Sequence, residues 1–103
     1  MAKSSTFAKL TAQPGKRAEM IAALEKLLPT VADEDGTLIY TINTDDTDEN
    51  VVWMFELYTD SDAVAAHGAS EAMAALFGDL GALLGDGPLL VATTPVSGKG
   101  FDH

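Results

Sequence analysis

An α+β domain built as strand, helix, strand, strand, helix, strand, with one four-stranded antiparallel sheet, is the fold class that this 103-residue chain predicts. Three observations point to it. Four stretches rich in β-branched and aromatic residues (5–11, 37–43, 51–58 and 89–96) are separated by two segments with helical apolar spacing. Residues 44–50, between the second and third strands, form a loop too short and polar for anything but an antiparallel hairpin. The strands also carry large apolar groups on both faces, whereas two helices can cover only one.

Each element has its own warrant. Residues 5–11 alternate and are β-branched at Thr6 and Thr11, and the breaker Pro14-Gly15 follows. From Lys16 the period changes. Met20, Ile21, Leu24, Leu27, Leu28 and Val31 recur along one helical face, and Pro29 is expected to kink that helix or begin its last turn. Asp35-Gly36 releases the chain into the second strand, where Leu38, Tyr40 and Ile42 are expected to share a side. In the third strand Val51, Trp53, Phe55 and Leu57 fall on one side of the pleat, and Val52, Met54, Glu56 and Tyr58 on the other.

Asp60 or Ser61 can cap the next helix by accepting backbone amide hydrogen bonds, and Asp62 suits its positive end. Gly68 interrupts this helix just after His67. A longer one restarts at Ser70, with Met73, Leu76, Phe77, Leu80, Leu83 and Leu84 as its stripe, and Gly85-Asp86-Gly87-Pro88 ends it. The last strand, 89–96, leads to an expected flexible tail at 97–103. The order is that of a ferredoxin-like fold, a single domain with its core over about residues 5–96. Something must cover the second sheet face, and a second copy of the chain packed sheet to sheet is the simplest cover.

Composition excludes several functions. Apolar residues make up 47% and charged residues 21%, so the chain is neither disordered nor fibrous. Sixteen acids against six bases give a net charge of −10, opposed to nucleic acid and to anionic membrane surfaces. The N-terminus lacks a secretory apolar core and no apolar run is long enough to span a bilayer, so the expected location is cytoplasmic. With no cysteine there is neither a disulfide nor thiolate chemistry. No Gly-x-Gly-x-x-Gly, phosphate loop or paired-histidine motif offers a home to a nicotinamide, flavin or metal, and no cofactor is expected.

Gln13-Pro14-Gly15-Lys16, Asp35-Gly36-Thr37-Leu38-Ile39-Tyr40 and the run Phe55-Glu56-Leu57-Tyr58-Thr59-Asp60-Ser61-Asp62-Ala63-Val64-Ala65-Ala66-His67 together resemble the antibiotic biosynthesis monooxygenase (ABM) family. The likeness extends over about residues 6–96. It implies a dimeric α+β barrel in which two sheets meet. It also implies relatedness to cofactor-independent oxygenases that act on quinols and polyketide phenols with dioxygen. Aligned on the strand-Glu segment, Phe77 stands where haem-degrading relatives carry their iron-ligating histidine, and His67 stands at their aromatic position, so haem is not expected.

His67 is the only side chain inside the expected fold whose ordinary pKa lies near neutrality, which makes it the natural proton acceptor or donor. It reads equally as a packing histidine near a helix end. Glu56 is a lone carboxylate in an apolar strand, costly unless satisfied. It either orients His67 or holds a substrate hydroxyl, or it pairs with a backbone amide or a partner chain's base. Tyr40, Asn43, Trp53 and Tyr58 are polar-tipped or aromatic groups suited to a planar phenolic ligand, and Phe77, with Met20, Met54 and Met73, reads as core that can also line an adaptable pocket.

These residues carry the expectation of a cofactor-independent monooxygenase. A base, His67, takes the proton of a dihydroxyaromatic, and Tyr40 or Asn43 bonds the oxyanion that develops. Two other readings stand beside it: a small-molecule binding module, and an isomerase that uses His67 without dioxygen.

Overall fold

The computed structural model describes residues 2–100. The elements run β1 (Ser4–Thr11), α1 (Arg17–Glu25), α2 (Leu28–Ala32), β2 (Thr37–Thr44), β3 (Val51–Tyr58), α3 (Ser61–Gly68), α4 (Glu71–Leu80) and β4 (Leu89–Thr93). The strands form one sheet in the order β2-β3-β1-β4, with every neighbouring pair antiparallel. This is the ferredoxin-like α+β fold, with helices packed on one sheet face.

Alternation decides what faces the helices. Ala8 and Leu10 of β1, Val52 and Met54 of β3, and Tyr40 and Ile42 of β2 meet Met20, Ala23 and Leu24 of α1, Leu27 and Val31 around α2, and Leu76 and Leu80 of α4. Met20 and Val52 are fully buried, and removing such side chains from water stabilises the fold by roughly 1.5–3 kcal/mol each. The turn before α1 uses Gly15 at φ 78°, a left-handed conformation that glycine adopts without the steric cost of a Cβ. Asp60 caps α3 by accepting from the Ala63 amide at 2.9 Å, and Ser70 caps α4 through the Met73 amide at 3.2 Å.

Several sequence expectations are revised. Pro29 breaks the first helix as expected, sitting in the opening turn of the short α2, but the apolar stripe does not run on through it. Leu28 therefore turns outward and is exposed. A bulge between Thr37 and Ile39 breaks the alternation of β2, so Leu38 is exposed while Tyr40 and Ile42 pack inward. α4 stops at Leu80, and Leu83 and Leu84 follow in a turn in which Ala12 and Leu84 form an isolated bridge. β4 ends at Thr93, short of Val96, with Pro95 intervening.

The open face of the sheet carries Phe7, Lys9, Asn43, Trp53, Phe55, Leu89 and Val91. Phe7 remains 46% exposed, Trp53 39% and Val91 45%. Leu57 lies on this same face but is 3% exposed, in a depression of about 340 Å³ that it shares with Thr94, Pro95, Lys99 and Gly100 beyond β4. The rest of the expected tail, residues 101–103, lies outside the described residues. No helix among the described residues is long and apolar enough to cross a membrane.

Candidate active site

The ionisable side chains buried in the fold collect on the helix-facing side of β2 and β3. Tyr40 pairs with Glu56 across the two strands, so both side chains project from one row of the sheet. Tyr58, two residues further along β3, is on the same face, and its hydroxyl donates to Glu56 Oε1 in a short hydrogen bond. α3 lies against this row and brings down His67, which is 5% exposed. Its imidazole sits beside both phenol rings, with centroids 5.3 Å from Tyr40 and 5.6 Å from Tyr58.

The carboxylate that bonds His67 is Glu34, not Glu56. Glu34 Oε1 lies 2.8 Å from His67 Nδ1 and also accepts from the Thr37 hydroxyl at 2.8 Å. A carboxylate can only accept, so Nδ1 is the donor to Glu34. Nε2 is buried and has no hydrogen-bond partner among the described residues. α3 reaches this position because Gly36 has no side chain: a Cβ there would stand 2.6 Å from Ala63 Cβ.

Glu56 and Tyr40 are the polar members of a cavity otherwise walled by apolar side chains, among them Leu10, Leu24, Met54, Met73 and Leu76. Its rim, towards β4, is formed by Phe77, Leu84, Pro88 and Leu90, with Phe77 57% exposed. The cavity measures about 80 Å³. Burial raises the Glu56 carboxyl above the ordinary carboxylate range; the Tyr58 hydrogen bond and the charge of His67 oppose that rise, and Glu34 adds to it. Burial likewise lifts both phenols well above their usual range, Tyr40 further through the charges of Glu56 and Glu34, and Tyr58 further through its hydrogen bond to Glu56.

Asn43 and Trp53 do not join this site. The two-residue strand period sends both to the open face, separated from Glu56 by the sheet itself. Asn43 Nδ2 donates to the Trp53 carbonyl at 2.9 Å, and Trp53 Nε1 donates to Asp45 Oδ2 at 2.7 Å. This bond and the Thr47 and Asp48 amides hold the Asp45 carboxyl well below the usual carboxylate range. Asn43 thus stands across the sheet from Glu56, Tyr40 and His67. Glu34, conversely, was hidden in Asp33-Glu34-Asp35, a run that reads as a solvated turn; its one available signal was the Gly36 that follows and permits close helix approach.

Among the described residues no three His, Asp or Glu side chains converge as a metal site would require. On the helix-facing side the arrangement presents a proton-binding carboxyl and a phenol to an apolar cavity, and behind them an imidazole held by a second carboxylate.

Comparison with known proteins places this geometry in context. A Caulobacter crescentus protein named as a candidate antibiotic biosynthesis monooxygenase has a structure superposing with TM-score 0.88 at 29% identity, over 93% of this chain and 92% of that one. A protein of unknown function from Nitrosomonas europaea superposes with TM-score 0.85 at 24% identity, over 100% and 98%. A second Nitrosomonas europaea protein, also named as a candidate antibiotic biosynthesis monooxygenase, gives 0.88 at 14% identity, over 96% and 95%. The last two likenesses speak for the fold alone. No curated protein matches this chain. Residues 5–78, well over half of the chain and spanning every member of the buried polar cluster, match the family model described as antibiotic biosynthesis monooxygenase, and the chain belongs to that family.

Proposed function

We propose that this protein is a cofactor-independent monooxygenase that oxidises a small aromatic quinol or polyketide-like phenol with dioxygen. The observation that carries the reading is Glu56: one carboxyl, its proton affinity raised by burial, facing an apolar cavity beside a phenol. A carboxyl of raised proton affinity is a stronger base than an ordinary carboxylate and is suited to take a phenolic proton. The first proton acceptor in this reading is Glu56 rather than His67, because Glu56 lines the cavity and His67 does not.

Deprotonation at a ring hydroxyl by Glu56 gives an electron-rich phenolate, with the Tyr40 hydroxyl donating to its oxygen. Two electrons pass from the ring to dioxygen and a carbon-bound hydroperoxide forms. Its O–O bond then breaks as the ring carbon loses its hydrogen, leaving a new carbonyl and one water. Thus a naphthalenediol and dioxygen become a hydroxynaphthoquinone and water, with no outside reductant. The apolar walls exclude water from the anion. A cavity of about 80 Å³ must widen to admit such a ring, and Phe77, half out in solvent, and the pliable Met73 are the side chains placed to yield.

The reading includes a homodimer in which two open sheet faces pack together, covering Phe7, Trp53, Phe55 and Val91. Exposed apolar groups concentrated on one sheet face support it.

Oxygen uptake by metal-stripped protein given a panel of dihydroxynaphthalenes tests the reaction. Wild type consumes oxygen above the substrate's own autoxidation, and Glu56→Gln falls by roughly 10²-fold or more. Uptake that survives in Glu56→Gln would sink the role of that carboxyl. Melting-temperature shifts without uptake would favour a binding module, and turnover without oxygen an isomerase.

A further inference from the structure

We propose that the phenol taken by this cavity carries an uncharged aliphatic chain, which leaves through the cavity mouth between Phe77 and Leu90 and lies along the helix-facing side of β4. This rests on the reading of Glu56 as the group that receives the phenol, and it narrows the substrate class.

Sheet register supplies the track. Met54 pairs with Ala8 and Ala8 with Leu90, so the three form one row across β3, β1 and β4 on the side of the helices. The helices cover that row unequally. Met54 and Ala8 are buried, whereas Leu90 is 61% exposed, and Ala92, the next residue of β4 on the same side, is exposed too. Phe77, which shares its face of α4 with Met73, Leu76 and Leu80, forms the rim with Leu90 and is likewise more than half exposed. Buried wall and exposed rim make one continuous apolar surface. Among the described residues that line it, Glu56 and Tyr40 alone have polar side chains, and both are at its inner end.

Reach and chemistry then select the occupant. From Glu56 to Leu90 is two strand spacings sideways and two residues along the strand, roughly 12 Å. A phenol bonded to Glu56 ends well short of Leu90. An aliphatic chain is narrow enough to follow the passage, whereas a further fused ring would force α4 from the sheet along its whole length. A charged or sugar-bearing extension would lose water there and find no partner. Nor do the chain's own surfaces cover Leu90. It lies on the opposite side of the sheet from Phe7 and Val91, so the face-to-face dimer proposed above leaves it bare. The segment after β4 leads to the open face, where Thr94, Pro95, Lys99 and Gly100 line the depression. Leu90 and Phe77 are therefore specificity-determining residues.

The test is calorimetric binding of 4-methyl-, 4-butyl- and 4-hexylphenol to the full-length protein without dioxygen, so no oxygen chemistry enters. In wild type Kd falls roughly twofold per added methylene, about half the effect of full burial, because one side of the chain stays in water. Leu90→Ser and Phe77→Ser each flatten that dependence. Both positions are exposed, and the slope within one variant is independent of any general change in affinity. Leu89→Ser, one residue away on the other side of the sheet, keeps the wild-type slope. No chain dependence in wild type, a slope that either rim variant leaves unchanged, or a slope lost in Leu89→Ser overturns the assignment. A retained chain dependence without oxygen uptake from any dihydroxynaphthalene counts against the proposed reaction alone.

Discussion

Replacing Gly36 with alanine tests how the site is assembled. The added Cβ would stand 2.6 Å from Ala63 Cβ and 3.4 Å from Thr59 Oγ1. Carbon atoms rest at about 3.5–4.0 Å, so α3 must retreat by about 1 Å. The turn is poorly placed to give way instead, because the Gly36 carbonyl accepts from the Thr59 amide at 2.9 Å. A retreat of that size stretches the bond between Glu34 and His67, now 2.8 Å, beyond hydrogen-bond length. Overpacking of this kind costs about 1–3 kcal/mol, and each kcal/mol lowers the melting temperature of a domain near this size by roughly 4–8 °C. Urea denaturation gives the loss, and the 15N shifts of the His67 ring report whether Nδ1 has lost its partner. Adding Ala63→Gly removes the colliding atom at a cost of up to about 1 kcal/mol in helix propensity, so the double variant should recover most of the loss. Strictly additive effects, or a Gly36→Ala protein as stable as wild type, would refute the reasoning.

Further outcomes follow from the same geometry. Glu56→Gln should be more stable than wild type at pH 7: a carboxyl whose folded pKa is raised favours the folded state most below its ordinary value of 4.5, and that advantage is lost as pH rises towards the folded value. The gain, read by urea denaturation, should shrink on acidification; a Gln variant weaker at pH 7 would contradict it. Asp45 has the opposite sign. Its lowered folded pKa contributes stability above 3.8 that disappears as pH falls through the folded value, so Asp45→Asn should show a flatter acid limb, with Trp53 fluorescence as the probe. Phe7→Asp, on the open face, should convert a dimer to monomer in light scattering while leaving the circular dichroism unchanged; an unaltered mass would place the contact elsewhere.

Much of the fold was legible because period alone carries it. The alternation in residues 51–58 already separates Trp53 from Glu56, and the strand keeps that parity. The interruption at Gly68 and the cap at Ser70 were readable from residue type. The partner of His67 was not, since Glu34 is 33 residues away in the chain and meets it only because two turns and α3 close on each other. The extent of β4 was equally hidden: Val96 has strand propensity, but Pro95 and the position of the outermost strand override it.

Among the described residues both outer strands have a free edge, and they are guarded differently. β2 is kinked by its bulge, whereas β4 is five residues long with Leu89, Leu90 and Val91 exposed. In the proposed dimer, pairing of open faces would leave that short, apolar edge unprotected. Mutual repulsion among molecules that each carry a charge of −10 opposes the addition of further chains there. The acidic surplus is therefore expected to act as colloidal protection, and acid or concentrated salt, by neutralising or screening it, should favour edge-to-edge strand addition at β4.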